Sequence, residues 1–174
     1  MRTSAIPIWW AHLSRSVLSH ADLSDAMLTD TDLREAQLSG VNLCNANMIN
    51  SDLRLADLTG SNLSGAILYD ANLTNANLHH ADFTLASLGE TFFISVDLTT
   101  AGGLETCKHR GPSNIDHHTL RMSKSLPLPF LRGVGLPNSF IEYLPSLVGQ
   151  AIRVLLLLHQ LLDEGSGICR AHSR

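Results

Sequence analysis

From Ala11 to Thr100 every fifth residue is a large apolar one, and the register never slips. It runs from Leu13, Leu18 and Leu23 through Met48, Phe83 and Phe93 to Leu98, which makes 18 pentads with 15 Leu, 2 Phe and 1 Met at the centre. Two residues before each centre stands something small: 11 Ala, 3 Ser, 2 Thr and 2 Val. Between the two, Asp or Asn fills 11 of the 18 positions, as in ADLSD (21–25) and ANLTN (71–75). A helix wants apolar residues three and four apart, and a half-buried strand wants strict alternation, so a period of five fits neither. Such an array folds by stacking near-identical units, each burying its apolar face only against its neighbours.

The motif A(D/N)LxX resembles the pentapeptide-repeat family, and the resemblance spans 90 of the 174 residues. It implies a mainly β protein, a right-handed quadrilateral β-helix with one pentad per side. Four pentads then make one coil, and residues 20 apart stack at roughly the 4.8 Å inter-strand spacing. Leu58 should point into the core, so a carboxylate there should unfold the coils around it. Asp57, next door but outward, should tolerate Ala almost silently. Both open ends of the stack would expose pairing edges that need covering.

The chain divides into four parts. Residues 1–10 form a cap or a ragged end: Ile6 and Ile8 keep the inward register, whereas Pro7 and the pair Trp9-Trp10 depart from it. The two Trp residues serve there as a cover for the open core or as a partner anchor. Residues 11–100 are the β-helix. Residues 101–152 form a short α-helical connector, with Ser113 and Asp116 as a capping-box-like pair before a first helix. SLPLP (125–129) reads as extended or turning, and Pro137 opens a second helix with Phe140, Ile141 and Leu144 inward. Residues 153–174 read as an aberrant, poorly ordered tail.

The words GLETCKHRGPSNIDHHTL (103–120) and FLRGVGLPNSFIEYLPSLVGQAI (130–152) resemble the connector of bacterial proteins that join a pentapeptide array to a Toll/interleukin receptor (TIR) domain. In such proteins a strand resembling YSCFISYS follows. Back-translation of the tail from Leu155, read from the second base of that codon, can spell YSCFISYSTKDQEFAERIH, which points to a frameshift just before Leu155. The resemblance therefore implies the repeat module of a truncated TIR-type signalling or defence protein.

Composition narrows the function further. Residues 11–100 hold 9 Asp and 2 Glu against 3 Arg, a net −8. An acidic rod disfavours nucleic acid as a direct partner. Cys44, Cys107 and Cys169 are odd in number and form no CxxC pair, so neither a disulfide frame nor a zinc site is expected. The start lacks a signal-peptide pattern. The run 147–162 is interrupted by Gln150, Arg153 and His159 and falls short of a membrane span. A cytoplasmic protein without cofactor, metal or membrane partner is expected. His79-His80 and His117-His118 read as solvated turn residues rather than ligands, and no nucleophile or acid–base pair marks an enzyme.

Sorting the outward residues onto four sides singles out the side of pentads 26–30, 46–50, 66–70 and 86–90. It presents Met27, Ile49, Ile67 and Tyr69, with Asp30, Asn50, Asp70 and Glu90 stacked at its following corner. An exposed apolar patch of this kind marks a contact surface. The expected function is a non-catalytic protein–protein interaction scaffold with an unidentified protein partner, a homodimer included. The alternative is an acidic DNA mimic that binds a DNA-handling enzyme such as gyrase.

Overall fold

The structure is a computed structural model that describes residues 12–144. The expectations for Trp9-Trp10 and the tail beyond residue 152 lie outside the described residues. The chain divides into two compact units, one through Leu136 and one from Pro137.

In the first unit, parallel bridges join the pentads to those 20 residues later, from His12 with Asp32 to Asp82 with Gly102, with no bridge between Asn77 and Asp97 among the described residues. One coil therefore takes four pentads. The bridging residue of each pentad bonds upward through both backbone groups: Gln37 donates its N–H to Ser16 (2.9 Å), and its C=O accepts from Leu18 (2.8 Å). A corner follows each bridge. The N–H of Ser16 donates to the C=O of Leu13 at 3.1 Å, which closes a four-residue turn whose third residue, Arg15, has φ 59°. A positive φ at that position alone makes it a type II turn. Asp25, Asp30, Asn45, Asn50, Asp70 and Asn75 occupy the same conformation, which Asn and Asp tolerate best after Gly.

The Asp and Asn of the motif are turn residues. At all 11 of these positions Oδ1 accepts the N–H of the residue two further on, from Asp22 with Ser24 to Asp97 with Thr99. This Asx arrangement satisfies a corner N–H that the coil-to-coil ladder leaves out. It also corrects the reading of Asp57 as nearly silent, because its carboxylate takes both the N–H and the hydroxyl of Thr59.

Centres and small residues together form the core. From Leu33 to Leu98 every central residue is at most 1% exposed, and Ala36, Ala46, Ala56, Ala66 and Ala86 are completely buried beside them. The pairing continues past Thr100. Ser87 and Leu88 pair with Lys108 and His109, and Phe92 and Phe93 with Asn114 and Ile115. A 3-10 turn, Leu104–Thr106, lies between, and Gly103 enters it with φ 74° where a Cβ would meet Thr84 N at 2.3 Å.

Among the described residues no strand pairs beyond the pentad of Asp97. Helix α1 (His117–Met122) lies there and presents side chains to the backbone edge. Asp116 accepts from the N–H of Ser95 (3.1 Å), Thr119 Oγ1 from Val96 (3.1 Å) and Ser123 Oγ from Leu98 (2.9 Å). Thr119 Oγ1 in turn donates to the C=O of Phe93 at 3.0 Å. Asp116 is also the N-cap of α1, accepting from Thr119 N–H at 2.8 Å. The cap expected at Ser113 is therefore three residues later, and Ser113 itself is buried.

Helix α2 (Leu128–Gly133) covers the end of the core. It occupies part of the SLPLP stretch expected to be extended, because Pro127 serves as N-cap and Pro129 sits in the first turn, where no N–H is needed. Phe130 is fully buried and meets Phe93 edge-to-face at 5.6 Å, which meets Phe83 at 6.2 Å. His109 closes the same stack at 5.8 Å from Phe130. In the second unit helix α3 (138–144) follows Pro137 as expected, but Phe140 is exposed rather than inward.

Candidate interaction face

The candidate side is built from three stacked columns. Met27, Asn47, Ile67, Ser87 and Lys108 form the bridged one. The second is traced by bonds to the C=O of Ile49, Tyr69 and Gly89 from the next corner's N–H groups. The third is the corner itself: Asp30, Asn50, Asp70 and Glu90, all exposed and all with φ between 51° and 57°.

Met27, Ile49, Ile67 and Tyr69 are half-buried: neighbouring coils stack on them, Asn47 beside Met27 and Asn47 and Ser87 beside Ile67, while part of each stays exposed. The ring of Tyr69 lies over Gly89, where a Cβ would stand in ordinary contact with Tyr69 Cδ1 at 3.4 Å. Asn50 Nδ2 donates to Asp30 Oδ1. Among the described residues neither Asp70 nor Glu90 makes an ion pair. Lys108 and Arg110, both exposed, stand at the foot of the same side.

Most acids of the other sides are held within the coil, although Asp25, at another exposed corner, also makes no ion pair among the described residues. Asp32 is held well below the usual carboxylate range by hydrogen bonds from the Arg34 guanidinium, whose nearer nitrogen is at 2.7 Å. Burial pushes Asp52 up, but the bonds and charge of Arg54 outweigh it and the net shift is downward. Arg15 pairs with Glu35 of the next coil at 2.9 Å. Arg34 pairs chiefly within its own coil, with Asp52 of the next coil farther off at 3.7 Å. The Asp22, Asn42 and Asn62 column bonds to itself, through Asn42 Nδ2 to Asp22 (2.9 Å) and Asn62 Nδ2 to Asn42 (3.1 Å).

The remaining candidates are structural. His79 Nδ1 meets Thr100 Oγ1 at 3.1 Å, and His118 Nδ1 meets Arg121 at 3.3 Å. Among the described residues no three His, Cys, Asp or Glu groups stand close enough to hold a metal. Burial pushes the Cys107 thiol up to about 12, and its Sγ lies 3.5 Å from the C=O of Phe83. Among the described residues no helix is long and apolar enough to cross a membrane.

Sequence reasoning overlooked the most exposed large apolar residues of the coils, Val17, Leu55 and Leu85, which are on different sides. Their signal was positional: Leu55 and Leu85 fill corners with φ 61° and 56°, where the other coils mostly set Asn, Asp or Gly and otherwise another polar residue.

Comparison with known proteins agrees with this architecture. The family model described as "Pentapeptide repeats" matches in 8 copies over residues 9–43, 36–75, 51–89 and 66–101, more than half of the chain. A crystal structure of a pentapeptide repeat protein from the Arabidopsis thaliana thylakoid lumen is 30% identical with a TM-score of 0.50, covering 52% of this chain and 63% of its own. A pentapeptide repeat protein, Rfr23, from the cyanobacterium Cyanothece 51142 is 41% identical with a TM-score of 0.40, covering 40% and 48%. The plasmid-mediated fluoroquinolone resistance protein QnrB1 is 19% identical with a TM-score of 0.41, covering 76% and 66%. The chain thus spans less than two thirds of the Arabidopsis and Cyanothece structures. No curated protein sequence matches it. With its pentads bridged coil to coil at a register of 20 residues, the chain belongs to the pentapeptide-repeat family.

Proposed function

We propose that the chain is a non-catalytic protein–protein interaction scaffold, and that its docking face is the side carrying Met27, Ile49, Ile67 and Tyr69. The observation that carries this reading is a half-buried apolar stripe running beside Asp70 and Glu90, whose charges are not spent on ion pairs within the described residues. An apolar centre with a charged edge is the composition of a transient protein interface. The partner is a protein surface that offers apolar side chains flanked by Lys or Arg.

We take the coil to wind right-handed with one pentad per side, as the family resemblance implies. In the same reading the protein is cytoplasmic and bacterial, and it is the repeat module of a TIR-type signalling or defence protein whose frame shifts before Leu155. Sequencing the gene tests that part: an in-frame TIR region with no insertion or deletion overturns it.

The docking face is tested by affinity capture with three variants. Ile67→Lys and Tyr69→Lys should each abolish recovery of the partner, while Asn62→Lys on another side should not. Equal recovery by all three removes the face from consideration. The acidic corner favours a second reading, a DNA mimic for an enzyme such as gyrase. It has three acids in four coils, against one charge per ~1.7 Å of DNA. Inhibition of gyrase supercoiling by the chain, lost in Asp70→Lys, would establish that reading instead.

A further inference from the structure

Helices α1 and α2 are fastened to the stack by different means. Asp116, Thr119 and Ser123 tie α1 to the backbone N–H groups of Ser95, Val96 and Leu98. The backbone of α2 and its C-cap reaches the rest of the fold through one hydrogen bond among the described residues, from Ser113 N–H to Val134 C=O at 3.2 Å. Phe130, Leu131 and Val134 are buried at this end, and the ring of His109 stands against them. A helix of six residues does not hold its shape without such packing.

His109 pairs in register with Leu88 on the last strand of the candidate side. Its ring meets Phe130 at 5.8 Å, inclined by 65°. It lies so close to Gly133 that a Cβ there would stand 2.1 Å from Cδ2 and 2.3 Å from Nε2. Both ring nitrogens are buried, and neither has a hydrogen-bond partner. A neutral imidazole can be stored in this way, whereas an imidazolium needs acceptors or water for both N–H groups. Five charged residues belong to the elements around it. Lys108 and Arg110 flank it, Arg132 is on α2, Glu105 is on the 3-10 turn against which α2 packs, and Glu90 is at the corner after Leu88. None of them pairs with the ring, and three of the five are cations.

We propose that His109 is an acid-released latch: protonation expels its ring from beneath Gly133, and α2 leaves the end of the stack while the coils and α1 stay folded. Release takes Phe130 off Phe93, which it meets at 5.6 Å, and bares the apolar end of the core. Burial holds the closed ring below its ordinary pKa, so the open form takes the proton first. The latch is closed above about pH 6.5 and yields progressively below it.

Hydrogen exchange of the full chain at about pH 7.5 and 5.5, each corrected for the intrinsic rate, reads the opening directly. With an ordinary pKa of about 6.5 in the open form, protection of the Leu131 and Val134 amides should fall roughly tenfold between the two. Protection of Leu58 and Leu63 in the array, and of Val96 and Leu98 under α1, should not change. His109→Phe should abolish the fall, and so should His109→Leu, whose smaller side chain fits beneath Gly133 more easily. Unchanged protection of Leu131 and Val134 in the unsubstituted chain overturns the proposal. So does a fall shared equally by Leu58 and Leu63, which is loss of the whole fold, or one that persists in both variants.

Discussion

Replacing Thr119 by Val would test how the stack is closed. Thr119 is completely buried, and its hydroxyl serves two backbone groups of the preceding coil. It accepts from Val96 N–H at 3.1 Å and donates to Phe93 C=O at 3.0 Å. Val has the same shape but neither function, so one buried donor and one buried acceptor lose their partner. Each such loss costs about 1–3 kcal/mol, and the methyl that replaces the hydroxyl returns about 0.8 kcal/mol at most. The net loss is about 1–5 kcal/mol. Thr119→Ser keeps both bonds and gives up only a methyl, for about 1 kcal/mol. Urea denaturation followed by circular dichroism would measure the difference. Because the stack is stabilised by nearest-neighbour terms, hydrogen exchange should rise first at the amides of Val96 and Leu98. Equal stability of the Val and Ser variants would refute the view that a side chain completes this edge.

Leu55→Asn should stabilise the protein by about 1 kcal/mol, since Leu55 is 58% exposed and holds φ 61°, a conformation Asn adopts at lower cost; a lower melting temperature would show that Leu55 packs usefully. Asp57→Ala should cost about 1 kcal/mol through the lost bonds to Thr59, and Leu58→Asp several kcal/mol; equal melts would place both residues outside the core. His109 gives a pH dependence. Its ring nitrogens are buried without hydrogen-bond partners, and burial lowers its pKa; Lys108 and Arg110 flank it in sequence, and α2, which carries Arg132, packs on it through Phe130. The unfolded chain therefore takes the proton first as pH falls, so the stability of the neutral ring is full above about pH 6.5 and is lost below it. His109→Phe should flatten the slope of melting temperature between about pH 7 and 5, and an unchanged slope would assign it to other groups.

The array was legible because its period encodes the contact: each centre needs an apolar side chain and each neighbouring position a small one. The 11 Asp and Asn residues were read as turn chemistry, but the Oδ1-to-N–H bond that fixes them is visible only in the coil. The closing turn was harder. Residues 101–115 continue the pairing with a 3-10 turn and longer spacing, so no period announces it. Thr119 and Ser123 are ordinary helix residues in sequence, and their role depends on which backbone groups the last coil leaves open. Phe130 directly follows the turn signal of Pro127 and Pro129, which hid a helix that the core required. The candidate face was found by folding the pentads onto sides of 20-residue register, yet Tyr69 lying over Gly89 came from the structure alone.

The docking face itself is tested most directly by a photo-cross-linking side chain placed in turn at Tyr69 and at Asn62, with the protein expressed in its own cells. The expected result is a discrete adduct of higher mass from position 69 and none from position 62. Adducts from position 62 alone, or equally from both, would contradict a partner seated on the side of Met27, Ile49, Ile67 and Tyr69.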